Sequence, residues 1–441
     1  MSDGNSTALG ERTTAGNYFV SNYPPYSFWN ADEVGRAHEA LDRAPRPGTP
    51  LGVYVHIPFC RKRCHFCYFK IYTDKNAREV ERYTEALLRE QALYWERRFV
   101  AGRTPSFVYF GGGTPSYLSS RQLTRLAEGM SRLADWRRAE EITFECEPGT
   151  LSEHKLQALR EMGVTRLSLG IENFDQQILR LNGRAHGAEE IGRSYQFARS
   201  IGFPQINIDL IAGMLGETEA NWRDCVRRTI DLAADSVTIY QMEIPYNTTI
   251  FQQMKAAGEV AAPVADWPTK RRWVDYAFRE LEQAGYTISS AYTAVREAQR
   301  TGFLYRDLLW TGADMVGLGV ASFSHVNGAH FQNESGWEPY LRRLESGELP
   351  IQRALTVSDE ERLIREFVLQ MKLGRVRREY FRRKFGVDVR ERFAAVLGEL
   401  EEQGLMEVDA ECLRLSREGL LAVDGLLPRF FLPQHRTSRM V

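Results

Sequence analysis

From residue 52 onward, short runs of β-branched and apolar residues alternate with stretches whose apolar positions recur at helical spacing. Runs at 53–57, 106–110, 141–145, 166–171, 205–211 and 236–240 read as strands, and stretches at 78–99, 120–133, 152–162, 189–201 and 220–232 read as amphipathic helices. Strands separated by helices of this length pair in parallel, because a parallel partner is reached only through a long crossover. Six such units predict an α/β fold, an open or partial (β/α)6 barrel. In such sheets, ligands gather where the strands give way to the loops that follow them.

Beyond the barrel, 267–284 reads as a helix and 286–290 as a strand. From about residue 338 the charge density rises and the periodicity turns helical at 358–372, 377–385 and 389–404. After these helices LMEVDAECLRLSREGLLAV reads as a short hairpin, and together they predict a winged-helix-like domain. The chain therefore divides into an arm (1–50), the barrel with an extension (51–335) and the C-terminal domain (336–441). Within the arm, residues 1–14 are small, polar and expected to be disordered. The aromatic stretch NYFVSNYPPYSFW (17–29) is expected to lie extended across the main domain, either covering the site's mouth or simply packing there.

With 441 residues and 43% hydrophobic content, the chain is long enough to bury a sizeable core. A net charge of −1 predicts neither nucleic acid nor an acidic membrane as a partner. The cluster Arg375, Arg377, Arg378, Arg382, Arg383 and Lys384 is interspersed with acids and reads as a solvated face. No run approaches the roughly 18 apolar residues of a membrane span, and the polar start has no signal-peptide core, so a cytoplasmic protein is expected.

Chemistry concentrates in VYVHIPFCRKRCHFCYFKIYTD, where three of the six cysteines, Cys60, Cys64 and Cys67, stand in the spacing Cys-x3-Cys-x2-Cys. Three thiolates on one loop can hold three irons of a [4Fe–4S] cluster and leave the fourth iron open. A zinc site would need a fourth ligand, with His56 or His65 as candidates, and no second Cys or His pair is visible. An odd number of clustered cysteines argues against disulfides.

The run from Tyr54 to Cys60, followed by Cys64-His-Phe-Cys67, resembles the opening motif of radical S-adenosylmethionine (SAM) enzymes. More narrowly it resembles the HemN-like branch, named for the oxygen-independent coproporphyrinogen oxidase. The resemblance implies SAM on the open iron, reductive cleavage to a 5′-deoxyadenosyl radical, and a flavodoxin- or ferredoxin-like electron donor. It assigns SAM contacts to Tyr54 and Phe66, and to Gly112, Gly113 and Thr114 in FGGGTPS, whose amides are expected to face the ligand. Further contacts are Glu145, Glu172 (where the pattern has Gln), Arg184, Asp209 and Glu243 (where it has a small residue). Phe323, in GLGVASF, matches the pattern for a second SAM. Cys146 alternates to the other strand face and reads as a core thiol. Glu243, Tyr240, Tyr305 and His325 are the candidates for finishing acid–base chemistry.

Coproporphyrinogen oxidases carry a further cysteine two positions past the third cluster cysteine, where this chain has Phe69, and their His-rich substrate signature is absent; residues 305–310 read YRDLLW. Both departures favour the branch of HemN-like methylases and cyclopropanases, similar to those forming spirocyclopropanes on duocarmycin-type alkaloids. There, a methylene radical from a second SAM adds to an sp2 carbon of an aromatic substrate, with a methyltransferase-like protein as partner. The alternatives are an oxygen-independent coproporphyrinogen III dehydrogenase and a haem-binding chaperone.

Overall fold

The computed structural model describes residues 12–14 and 22–438. Strands β1 (Leu51–Ile57), β2 (Phe107–Gly112), β3 (Glu141–Cys146), β4 (Arg166–Glu172), β5 (Gln205–Ala212) and β6 (Ser236–Gln241) lie side by side in chain order, all parallel. Crossover helices fall at Ala77–Trp95, Ser120–Leu133, Glu153–Glu161, Ala188–Ile201 and Glu219–Leu232, as the periodicity predicts. Four begin where a side chain accepts from otherwise unpaired amides of the first turn: Asn76, Ser119, Ser152 and Thr218.

Along these strands the residues alternate. Val53, Val55, Ile57, Val108, Phe110, Ile142, Phe144, Leu167, Leu169, Ile206, Ile208, Val237 and Ile239 form one buried apolar face beneath the helices. The opposite face carries Tyr54, His56, Tyr109, Thr143, Glu145, Arg166, Ser168, Asn207, Asp209, Thr238 and Tyr240. In-register pairs such as Tyr54 with Tyr109, Glu145 with Ser168 and Asp209 with Thr238 align these into rows. A parallel sheet covered by helices on both sides is apolar throughout. Here the inner face is polar because it lines the cleft of a half-barrel.

The sheet continues beyond this unit at both edges. On one side β8 (Thr293–Val295) pairs antiparallel with β6, and β7, expected over 286–290, shrinks to Thr287–Ile288. On the other, β9 (Asp314–Leu318) adds parallel to β1, followed by β10 (Phe323–Val326), β11 (Ala329–Asn333) and β12 (Ile351–Thr356), all antiparallel. The boundary expected at residue 335 therefore falls inside the sheet, since β11 pairs with β12 across it.

The C-terminal unit comprises helices Asp359–Met371, Arg378–Phe385, Val389–Arg392 and Ala394–Glu402 with a small sheet of β13 (Arg375–Arg377), β14 (Met406–Val408) and β15 (Cys412–Leu415). Phe367, Phe381, Phe393 and Phe430 centre its core. It closes on the barrel through Gln241 Nε2, which donates to Leu421 O (3.0 Å), and through Asp424, which accepts from Tyr292 Oη (2.6 Å) and pairs with Lys372 (2.9 Å).

Residues 1–11 and 15–21, with most of the expected disorder and the start of the aromatic stretch, lie outside the described residues. Thr13, by contrast, is buried against Ala262 and Lys270. Tyr23 is buried between Phe431 and His435, and Tyr26 and Trp29 meet Phe323 edge-on. The arm also contains a helix, Val34–Leu41, absent from the sequence reading.

Candidate active site

The cysteine loop leaves the end of β1 and is fastened on several sides. Cys60 N–H donates to Tyr72 O (3.0 Å), His65 N–H to Asn182 O (3.0 Å), and Arg63 Nη2 to Cys67 O (2.9 Å). Arg61 reaches Glu147 (2.7 Å), beside His186 (3.5 Å). Burial alone would raise Glu147, but His186 and Arg61 hold its carboxyl down to about 2, so the clamp is an ion pair. No sequence motif singled out this clamp. The sulfurs accept bonds as well: Thr114 Oγ1 donates to Cys60 (3.3 Å) and Arg184 Nη1 to Cys64 (3.3 Å).

The glycine loop works differently from expectation. Its amides do not face a ligand: Gly112 N–H donates to Glu145 (3.1 Å), Gly113 N–H to Ile57 O (2.9 Å) and Thr114 N–H to Phe59 O (2.8 Å). Glycine is required because β2 ends against the cysteine loop. A Cβ on Gly113 would lie 2.8 Å from Ile57 O and 2.9 Å from Pro58 C, backbone atoms with nowhere to go. Gly113→Ala is expected to displace the loop and cost about 1–3 kcal/mol. Bound iron per chain should fall more steeply than the melting temperature; full iron loading in the variant would contradict this reading.

Inside the cleft, Glu145 accepts from Tyr109 Oη (2.6 Å), and Asp209 accepts from Ser168 Oγ (2.8 Å) and Asn207 Nδ2 (2.9 Å). Burial pushes Glu145 up to about 7, with Asp209 adding to the rise, and burial likewise raises Asp209. Glu172 ends β4 at a register shift with a left-handed backbone (φ 65°), and burial, opposed by Arg184, pushes it up to about 7. Arg184 stands 3.7 Å from Glu172 and donates to Gly170 O (2.6 Å), while its Nε has no protein partner. The residues the sequence names as Glu145, Glu172, Arg184 and Asp209 thus meet beside the cysteine loop.

The remaining candidates divide. Tyr54 stacks on Tyr109 (5.8 Å), and Tyr305 also packs against Tyr109, tilted (4.4 Å). Phe66 packs in an apolar cluster with Ile211, Met214 and Met242. Tyr240, 48% exposed, stacks on Tyr292 (6.3 Å). Glu243 is raised by burial and by the nearby Asp424, with Lys372 and Lys270 opposing. His325 does not belong here. It pairs with Met315, which pairs with Gly52 at the start of β1, roughly 16 Å of strand from the cysteine loop. There it packs on His330 (4.2 Å), and burial holds its pKa well below the usual value. Arg166, which no motif identified, lies buried over the Phe303 ring (4.1 Å) with Nε and Nη1 unpartnered.

Two family models match this arrangement: the radical SAM superfamily over residues 54–229 and the HemN C-terminal domain over residues 357–422. The chain belongs to the HemN-like radical SAM family. Among relatives of this family, the oxygen-independent coproporphyrinogen III oxidase of Escherichia coli (strain K12) is 27% identical over 412 residues, covering 89% of this chain and 88% of the relative. Heme chaperone HemW of Bacillus subtilis (strain 168) is 28% identical over 373 residues, covering 83% and 96%. The structure of coproporphyrinogen III oxidase (HemN) from Escherichia coli superposes with a TM-score of 0.80 at 24% identity, over 93% of this chain and 96% of that one. These names overturn the reading as a methylase or cyclopropanase of natural products, and with it the alkaloid acceptor and the methyltransferase-like partner. Phe69 is a difference at one position, whereas the similarity to the oxidase extends over 89% of the chain. Among the described residues no helix is long and apolar enough to cross a membrane.

Members of the radical SAM family hold a [4Fe–4S] cluster and SAM, and the donor set here fits them. Burial, reinforced by the neighbouring cysteines, pushes Cys60 up to about 12 and Cys67 up to about 11, so these thiols ionise readily only against a cationic centre. The N–H and O–H donors aimed at the sulfurs are the bonds that orient and tune such ligands.

Proposed function

We propose that this chain is a radical SAM enzyme of the coproporphyrinogen III oxidase type, removing hydrogen from a propionate side chain of a tetrapyrrole. One observation carries the reading: both domains align nearly end to end with coproporphyrinogen III oxidase, the C-terminal unit included. When bound, the cluster supplies one electron to the SAM sulfonium and so generates the radical that abstracts hydrogen.

In this reading Cys60, Cys64 and Cys67 hold the cluster. Arg184, with a free Nε, meets the methionyl carboxylate as a forked donor. Glu172 and Asp209 accept ribose hydroxyls, and Tyr54 and Phe66 flank the nucleoside. With its amides engaged, the Gly112–Thr114 loop offers carbonyl oxygens, which suit the methionyl ammonium. Phe323, walled by Tyr26 and Trp29, faces the second SAM. Tyr240 and Tyr292, stacked on each other, would help exclude water from the substrate, and Glu243, raised by burial and by Asp424, is a proton-holding group close enough to act on Tyr68 and Tyr292.

Anaerobic reconstitution with SAM, dithionite and coproporphyrinogen III tests the assignment, with CO2 and 5′-deoxyadenosine expected together. A second reading, haem binding without decarboxylation, is favoured by Phe69 at the position of the oxidases' additional cysteine. Tight haem binding with no CO2 would replace the first reading by the second.

Glu145 gives a pH test. A carboxyl that ionises near 7 attracts a sulfonium only when charged, so SAM affinity should rise between pH 6 and pH 8, by at most about tenfold per unit. Glu145→Gln should flatten the profile in equilibrium dialysis. An equally steep profile in the variant would assign the slope to another group.

A further inference from the structure

Residues 60–75 carry Arg61, Lys62, Arg63, Lys70 and Lys75 against the single acid Asp74, in a chain whose net charge is −1. A simple account is that these cations offset the charge of the cluster. The structure separates them into two groups. Arg61 is held by Glu147 and Ala185 O, Arg63 by Cys67 O, and Lys75 by Glu79 (3.0 Å). Lys62 and Lys70 are exposed and enter no ion pair among the described residues.

Both unpaired amines stand around the ligand loop. Lys62 lies midway between Cys60 and Cys64. Lys70 lies over the ring of Tyr72 (5.5 Å), and the Tyr72 carbonyl accepts from Cys60 N–H (3.0 Å). The loop therefore brings exposed, unpaired positive charge next to the cluster ligands. Electron transfer slows steeply with distance, so a protein donor must seat itself near the ligands. Unpaired charge at an interface rim acts mainly by steering and orienting such a partner.

We propose that Lys62 and Lys70, with the outer edge of Arg61, form the docking surface for an acidic one-electron carrier protein that reduces the cluster. The inference rests on the cofactors of the family and not on the identity of the substrate. With a flavodoxin as donor, the anionic flavin hydroquinone loses one electron and becomes the neutral semiquinone, the cluster gains that electron, and no proton moves.

The test uses the full chain with reduced flavodoxin as the probe. Wild-type affinity for flavodoxin, read by titration calorimetry, should weaken with salt. K62E/K70E should lower it at least about tenfold, with K62Q/K70Q intermediate. Flavodoxin-driven 5′-deoxyadenosine formation, measured without any tetrapyrrole, should fall in parallel, while the dithionite-driven rate stays at the wild-type level. Unchanged flavodoxin affinity in K62E/K70E overturns the proposal. So does an equal fall in the dithionite-driven rate in both variants, which would make the lysines supports of the loop. Salt-sensitive binding to phosphatidylglycerol vesicles but not to flavodoxin would reassign the patch to a membrane surface.

Discussion

Replacing Cys64 by alanine is expected to abolish SAM cleavage, with 5′-deoxyadenosine formation falling by more than about a thousandfold. Loss of a group that merely orients a metal ligand costs about 10–100-fold, and loss of a ligand should exceed that. The substitution also acts on Arg184. Its Nη1 loses the sulfur it faces at 3.3 Å, and the guanidinium is left with Glu172 and Gly170 O. A buried cation short of a partner moves toward the remaining carboxylate, so the group proposed to meet the methionyl carboxylate shifts as well. Iron per chain, the visible absorption of the reconstituted protein and chromatographic detection of 5′-deoxyadenosine read the outcome. A variant that kept its iron and its turnover would remove Cys64 from the ligand set.

Glu90→Ala should be the most destabilising single change away from the cluster, at about 3–5 kcal/mol. Glu90 is fully buried on the helix Ala77–Trp95, beneath the strands that extend the sheet. It accepts from Gly319 N–H (2.7 Å), Tyr340 Oη (2.6 Å) and Asn333 Nδ2 (2.6 Å), tying together three segments distant in sequence. Alanine leaves Gly319 N–H and Tyr340 Oη buried without an acceptor, leaves Asn333 Nδ2 with only the Gly317 and Gly319 carbonyls, and opens a cavity. Glutamine keeps the shape but turns an amide toward Asn333, so an intermediate loss is expected. Burial pushes Glu90 up to about 8, against the bonds from Tyr340, Gly319 and Asn333. The folded state therefore binds this proton more tightly than the unfolded chain. Its contribution is complete below about pH 4.5 and is lost as pH rises through about 8. Denaturant unfolding of wild type and Glu90→Gln at pH 6 and pH 8.5 checks the sign, because the gap between them should narrow at the higher pH. A gap that widened would mean the carboxylate is the favoured form.

Much of the site was legible because it follows the strands. Cys60, Cys64 and Cys67 after β1, Glu145 on β3, Glu172 and Arg184 around β4 and Asp209 on β5 each occupy a position set by local pattern. The alternation on β1 to β6 also stood in the sequence, as in VYVHI and INIDL. Taken as a polar inner face, it would have pointed to Tyr109, Ser168 and Asn207 as well. His325 and the glycine loop depart from the expectation for a different reason. Motif resemblance gives the residue type but not the strand's direction or what its amides meet. Because β10 runs antiparallel, His325 is carried to the wrong end of the sheet, and close packing against the cysteine loop engages the amides of Gly112, Gly113 and Thr114.

By itself, then, the sequence determined the strand–helix alternation, the cysteine spacing and the acids that follow it, since each depends on neighbours within a few residues. Only the tertiary structure decided that β9 to β12 widen the sheet beyond β1, that Glu147 pairs with both Arg61 and His186, and that Glu90 is satisfied by three distant donors. Those features arise from contacts between segments separated by scores or hundreds of residues. No local periodicity records them, because they exist only once the chain has closed on itself.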